Sequence, residues 1–145
     1  MYSQPWLIYA LMSAMAAALV GIFGKVGMKE VDSNLATAIR SVVMTLFLVA
    51  FWLTRGNLAK IQSLHGKAIG MIALSGLAGA LSWLFYFKAL QVGTVSQVAP
   101  VDKLSMPLAV VLAVILLKDR PSAINWCGIF LIAVGALLAA YPKPG

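Results

Sequence analysis

Long uncharged apolar stretches alternate with short polar segments along the 145-residue chain. Three stretches, 5–24, 68–87 and 122–141, hold no charged side chain, and two others, 35–54 and 95–117, hold one and two. A transmembrane helix needs about 20 mainly apolar residues. The pattern therefore predicts an all-α integral membrane protein, a single transmembrane domain over 1–145. Its five helices are expected at about 5–24, 35–54, 68–87, 95–117 and 122–141.

Composition excludes the soluble classes of protein. Hydrophobic residues make up 62% of the chain and charged residues 10%, whereas soluble domains carry about 25% charged residues. The formal net charge of +7 would suggest nucleic acid in a soluble protein, but basic residues of membrane proteins collect in short loops. No basic patch with interleaved aromatic residues is present, so the expected surroundings are a lipid bilayer and not nucleic acid.

The basic residues are distributed almost evenly between the two ends of the predicted helices. The side of the N-terminus receives Arg55, Lys60, Lys67, Lys118 and Arg120, and the opposite side receives Lys25, Lys29, Lys88 and Lys143. Excess Lys and Arg in the cytoplasmic loops sets the orientation of a membrane protein. Two interpretations are open: the long basic loop holds the N-terminus in the cytoplasm, or the chain inserts in both orientations.

The fourth predicted helix carries two charges, Asp102 and Lys103, about 10–12 Å from its start. Charges at this depth are costly and usually mark a pathway or a pair. Pro100 and Pro107 are expected to break the helix there, and broken helices are tolerated where they line a cavity. A polar cavity beside Asp102, Lys103 and Ser105 is one interpretation, and a purely structural Asp–Lys pair is the other.

Arg40 is the third charge inside a predicted helix, and helical spacing places it on one face with Thr37 and Ser41. Its long side chain could reach the near membrane interface, or it could point inward and receive an anionic group. Tyr86 on the third helix is a candidate cavity wall, with Trp83 beside it. Aromatic residues near a helix end are also typical of the interfacial belt.

No enzyme chemistry is indicated by the sequence. His65 lies alone in a loop, and Cys127, the one cysteine, lies in an apolar stretch. The chain has no catalytic carboxylate pair, no Ser–His–Asp set, no phosphate-binding loop and no metal-ligand spacing. We therefore expect neither a catalytic site nor a metal or cofactor.

Several short motifs occur in an order that resembles one repeat of the EamA family, within the drug/metabolite transporter (DMT) superfamily. The resembling stretches are 24–27 (GKVG), 36–40 (ATAIR), 87–93 (FKALQVG), 98–105 (VAPVDKLS), 116–121 (LLKDRP) and 126–135 (WCGIFLIAVG). Asp119 departs from the family, which usually has Glu there. The substitution keeps the negative charge.

The resemblance implies a transporter of small metabolites or drugs that works by alternating access in the inner (plasma) membrane. Members of the family usually contain two such repeats in inverted orientation, and this chain supplies one half. The resemblance therefore implies an antiparallel homodimer, or a heterodimer with a second short EamA-like protein. Two alternatives are a non-transporting accessory subunit of a membrane complex and one half of a heterodimeric lipid-carrier flippase.

Overall fold

The computed structural model describes residues 5–55 and 66–141, and all regular structure in these ranges is helical. Helices α1 (Pro5–Gly27), α2 (Ser33–Arg55) and α3 (Gly66–Val92) each form one uninterrupted element. The fourth span, Val95–Leu117, consists of α4 (Val95–Asp102), α5 (Ser105–Leu112) and a π-helical turn (Ala113–Leu117). The last helix is α6 (Ala123–Ala139).

All five predicted spans are helical in the described ranges, the fourth as two helices and a turn, which confirms the predicted all-α membrane fold. Four of them are long and apolar enough to cross a membrane, with mean hydropathies between 1.8 and 2.1. Helix α6 has 17 residues and is therefore about 25 Å long, slightly less than the hydrocarbon thickness of about 30 Å. Lys60, His65 and Lys143, which the sequence analysis placed in a loop and in the tail, lie outside the described residues.

Local hydrogen bonds account for where the helices begin. Asp32 accepts a hydrogen bond from the backbone N–H of Asn34 at 2.8 Å, so it caps α2. The hydroxyl of Ser122 accepts one from Asn125 N at 3.4 Å and caps α6. Helix α3 continues to Val92, five residues beyond its predicted end at 87, and leaves a two-residue connection to α4.

The chain divides into two compact units, and each has its own packing. The first unit, Phe23–Gln91, contains the end of α1, all of α2 and nearly all of α3. Its buried residues lie near the C-terminal ends of α1 and α3 and the N-terminal end of α2: Met28, Ser33, Thr37, Phe87 and Leu90. In the second unit, which includes 92–141 and the start of α1, α6 contacts both α4 and α5 and buries Ala136.

Candidate substrate-binding sites

The fourth span is interrupted between Asp102, the last residue of α4, and Ser105, the first of α5. At the break the backbone forms tighter turns, with Lys103 N donating to Pro100 O and Leu104 N to Val101 O, both at 3.0 Å. These are bonds to the third preceding residue instead of the fourth, and they narrow the helix and increase its rise per residue locally. The break lies about 10–12 Å into the span.

Pro107 explains the position of this break better than Pro100. A proline has no N–H and its ring clashes with the carbonyl four residues earlier, which for Pro107 belongs to Lys103. That carbonyl instead accepts from Met106 N at 3.0 Å. Pro100 lies inside α4, which remains helical from Val95 to Asp102.

Asp102 and Lys103 form an ion pair at the break, with 3.2 Å between Lys103 Nζ and Asp102 Oδ2. Their side chains remain 33% and 52% exposed, so this pair is not sealed inside its own unit. Ser105, the next polar residue, is exposed at the start of α5. Together, these three residues place a carboxylate, an ammonium group and a hydroxyl around an interrupted stretch of backbone.

The remaining candidate residues lie in the first unit, on α2 and α3. The guanidinium carbon of Arg40 lies 3.5 Å from the centroid of the Trp83 ring and 5.5 Å from that of Phe87. Tyr86 is half-buried on the same helix as Trp83 and Phe87. A cation stacked on aromatic rings in this way gains about 0.5–2 kcal/mol, depending on how far it is desolvated.

The three aromatic residues beside Arg40 also contact one another. The ring centroids of Trp83 and Tyr86 are 5.6 Å apart in an edge-to-face arrangement, and those of Trp83 and Phe87 are 5.8 Å apart. Phe87 is only 2% exposed. Trp83 therefore contacts two neighbouring rings, one of which is buried.

Thr37 and Ser41 direct their hydroxyl hydrogens to their own helix. Thr37 Oγ1 donates to Ser33 O at 2.7 Å, and Ser41 Oγ donates to Thr37 O at 2.8 Å. Such bonds satisfy polar side chains within a transmembrane helix. They leave the oxygen lone pairs of these hydroxyls as acceptors only, so Arg40 is the donor on this part of α2.

Two contacts between α1 and α3 were not predicted from the sequence. A β-carbon on Gly24 would lie 2.5 Å from Cε1 of Phe87, so the two helices are in close contact there. Lys25 Nζ donates to the carbonyl of Leu90, near the C-terminal end of α3. The lysine thus complements the dipole of a neighbouring helix. In the sequence, the glycine and the lysine of GKVG were the features that could have indicated these two contacts.

These contacts also show what several of the resembling stretches do in the structure. Residues 24–27, 36–40 and 87–93 supply Gly24, Lys25, Arg40, Phe87 and Leu90, which join three helices within one unit. Residues 98–105 form the break of the fourth span. The motifs are therefore contact points of the fold and not isolated sequence features.

Comparisons with known proteins agree with this architecture. The sequence profile of the EamA-like transporter family matches residues 4–141. A protein of a Sinorhizobium species, described as an uncharacterized transporter in the cobO 3' region, is 42% identical over 138 residues, which cover 95% of this chain and 98% of the relative. No solved structure matches the chain at a significant level. With a family match over nearly its whole length, the chain belongs to the EamA-like transporter family, a family of membrane transporters and not of enzymes.

Proposed function

We propose that the protein moves a small metabolite or drug across the plasma membrane of a prokaryote by alternating access, as a dimer. The observation that carries the proposal is the break in the fourth span with Asp102 and Lys103 beside it. Secondary transporters commonly bind substrates where a helix is interrupted near the middle of the membrane, because freed backbone groups and charges are available there. In this proposal Asp102, Lys103 and Ser105 contact the substrate.

The exposure of the Asp102–Lys103 pair supports a binding role over a purely structural one. A structural pair inside a membrane protein is expected to be packed against other protein groups, because lipid cannot solvate charge. Here the two side chains keep a third and a half of their surfaces open within their own unit. A substrate or a second protein copy would cover them.

The dimer part of the proposal rests on a relative that contains a single repeat. The family match over 4–141 spans a single five-helix repeat, and the Sinorhizobium relative is covered to 98% of its own length, so it is equally short. Transporters with inverted repeats form the substrate site at the interface between two repeats. Two antiparallel copies of this chain would supply that interface, as would this chain with a second short EamA-like protein.

Transport by purified protein tests the proposal. Compounds selected by thermal-shift screening of amino acids, organic acids, sugar phosphates and drugs would be used for flux into proteoliposomes. We expect substrate-dependent flux that is lost in Asp102→Asn and retained in Asp119→Asn, a matched change in an exposed turn of the same unit. Absence of flux for every compound would contradict the transporter proposal. Equal flux in wild type and Asp102→Asn would remove Asp102 from the mechanism.

A further inference from the structure

We infer that Arg40, stacked on Trp83, is a binding site for the anionic group of the substrate, a carboxylate or a phosphate. The inference extends the proposed function by naming a substrate class. It also assigns a binding role to a part of the chain other than the break in the fourth span. It rests on the charge balance around Arg40, on the geometry of the stack and on the hydroxyl groups beside it.

The charge of Arg40 is not neutralised by the acidic side chains of its own unit. These are Glu30 and Asp32, and neither lies within ion-pair distance of the guanidinium in the described residues. Asp32 Oδ2 is occupied by the N–H of Asn34. Arg40 lies seven residues after Ser33, about 10 Å into α2, where an uncompensated charge is costly. Stacking on the rings offsets only part of that free-energy cost, so an anion supplied from outside the unit would stabilise the site.

The stack leaves the hydrogen-bonding edge of the guanidinium available. At 3.5 Å from the Trp83 centroid, one face of the group is covered by the ring. The N–H donors point outward in the guanidinium plane, and the pattern of five donors fits a carboxylate or phosphate through two parallel bonds. Arg40 and Trp83 are both half-buried, so each keeps part of its surface exposed.

The contacts that hold the aromatic rings in place favour binding over a loose surface contact. Trp83 is supported by Tyr86 and by Phe87, and Phe87 is packed against Gly24. A guanidinium held in place beforehand loses less conformational entropy when it binds a ligand. The hydroxyls of Thr37 and Ser41 donate to backbone carbonyls, so they add no donor for the anion. Recognition at this point therefore depends on Arg40.

Arg55 offers a matched control on the same helix. Its guanidinium carbon lies 5.6 Å from the ring centroid of Phe51, but it ends α2 and is exposed. Arg55→Gln thus removes a second arginine that faces a ring, without altering the site at Arg40. Arg40→Lys keeps the charge at the site but removes the planar pair of donors.

Fluorescence of Trp83 gives a reading that does not depend on transport. In a Trp6→Phe, Trp52→Phe, Trp126→Phe background, Trp83 is the single tryptophan. The purified protein in lipid-free maltoside micelles would be titrated with inorganic phosphate and with acetate, against chloride at equal ionic strength. Phosphatidylglycerol would be added in a separate titration, so that a lipid headgroup and a free anion are distinguished.

We expect a saturable change in Trp83 emission with phosphate or acetate but not with chloride. Arg40→Gln should weaken the apparent affinity by about tenfold to a hundredfold, the usual effect of losing hydrogen bonds to a charged group. Arg40→Lys should give a smaller loss, and Arg55→Gln should leave the titration unchanged. A response to phosphatidylglycerol alone would assign the site to a lipid headgroup and overturn the substrate assignment.

Two results would overturn the anion site itself. One is no saturable response to either anion in the protein with Arg40 intact. The other is an unchanged titration in Arg40→Gln together with a lowered melting temperature, which would make the stack purely structural. Binding with no flux in proteoliposomes would contradict the transporter proposal while leaving the anion site in place, so the two failures are distinguishable.

Discussion

Gly24 of α1 faces the ring of Phe87 of α3 so closely that a β-carbon on Gly24 would lie 2.5 Å from Cε1. Phe87 is 2% exposed, so its ring is covered by other protein groups. The missing side chain is therefore a requirement of this helix contact. Small residues generally let membrane helices approach closely and pack, because the hydrophobic effect does not drive helix association in lipid.

Gly24→Ala is expected to destabilise the protein by about 1–3 kcal/mol, the usual cost of overpacking a well-packed contact. Gly27→Ala is the matched control, because no atom lies within 4 Å of its β-carbon position and both changes occur on α1. The measurement is the thermal unfolding midpoint of both variants in detergent. Equal midpoints would mean that the α1–α3 contact adapts without cost.

Much of the fold could be predicted from the sequence, because transmembrane helices are recognised by length and apolar composition. The end of α3 could not, since the uncharged stretch that predicts this helix stops at 87. The helix continues to Val92, and the carbonyl of Leu90 near its end receives the ammonium group of Lys25 from another helix. A capping group 65 residues away leaves no local signal.

At the candidate sites too, partners that are distant in the sequence could not be predicted. The charges Arg40, Asp102 and Lys103 were identified from the sequence because charge is rare in a membrane helix. The partners of these charges differ in their separation along the sequence. Lys103 pairs with its chain neighbour Asp102, which the sequence suggests, whereas Arg40 rests on Trp83 of another helix. Periodicity along α2 gives the face of Arg40 but not the residue opposite it.

Pro107→Ala is expected to reduce transport and stabilise the fourth span. The substitution supplies an N–H that can bond to Lys103 O and so extends the helix through the break. We expect flux to fall about tenfold, equivalent to about 1.4 kcal/mol in the barrier, while the melting temperature rises. Pro100→Ala should change flux less, because α4 is already helical around Pro100. An unchanged flux in Pro107→Ala would show that the break has no part in transport.

Lys118 is the non-glycine residue with a positive φ in the described chain, at 59°, directly after the π-helical turn. A side chain in this left-handed conformation costs about 1–2 kcal/mol, which glycine avoids. Lys118→Gly should therefore raise the free energy of unfolding by about 1 kcal/mol. Lys118→Ala removes the charge but keeps the β-carbon, and we expect a change of less than about 0.5 kcal/mol. If both variants had the same stability, backbone strain at this turn would be excluded.

The near-even distribution of basic residues permits insertion in both orientations, and the proposed antiparallel homodimer requires it. Glu30 and Asp119 are exposed, and the order of helices along the chain predicts that their connections lie on opposite sides of the membrane, so Glu30→Cys and Asp119→Cys, each in a Cys127→Ala background, report the orientation. An impermeant maleimide applied to intact spheroplasts should label about half of each variant, judged against permeabilised cells. Labelling of one variant alone would exclude the homodimer and favour a heterodimer. As a control, Gln91→Lys with Val92→Lys adds positive charge on the side of Glu30 and should leave only the Asp119→Cys variant labelled from outside.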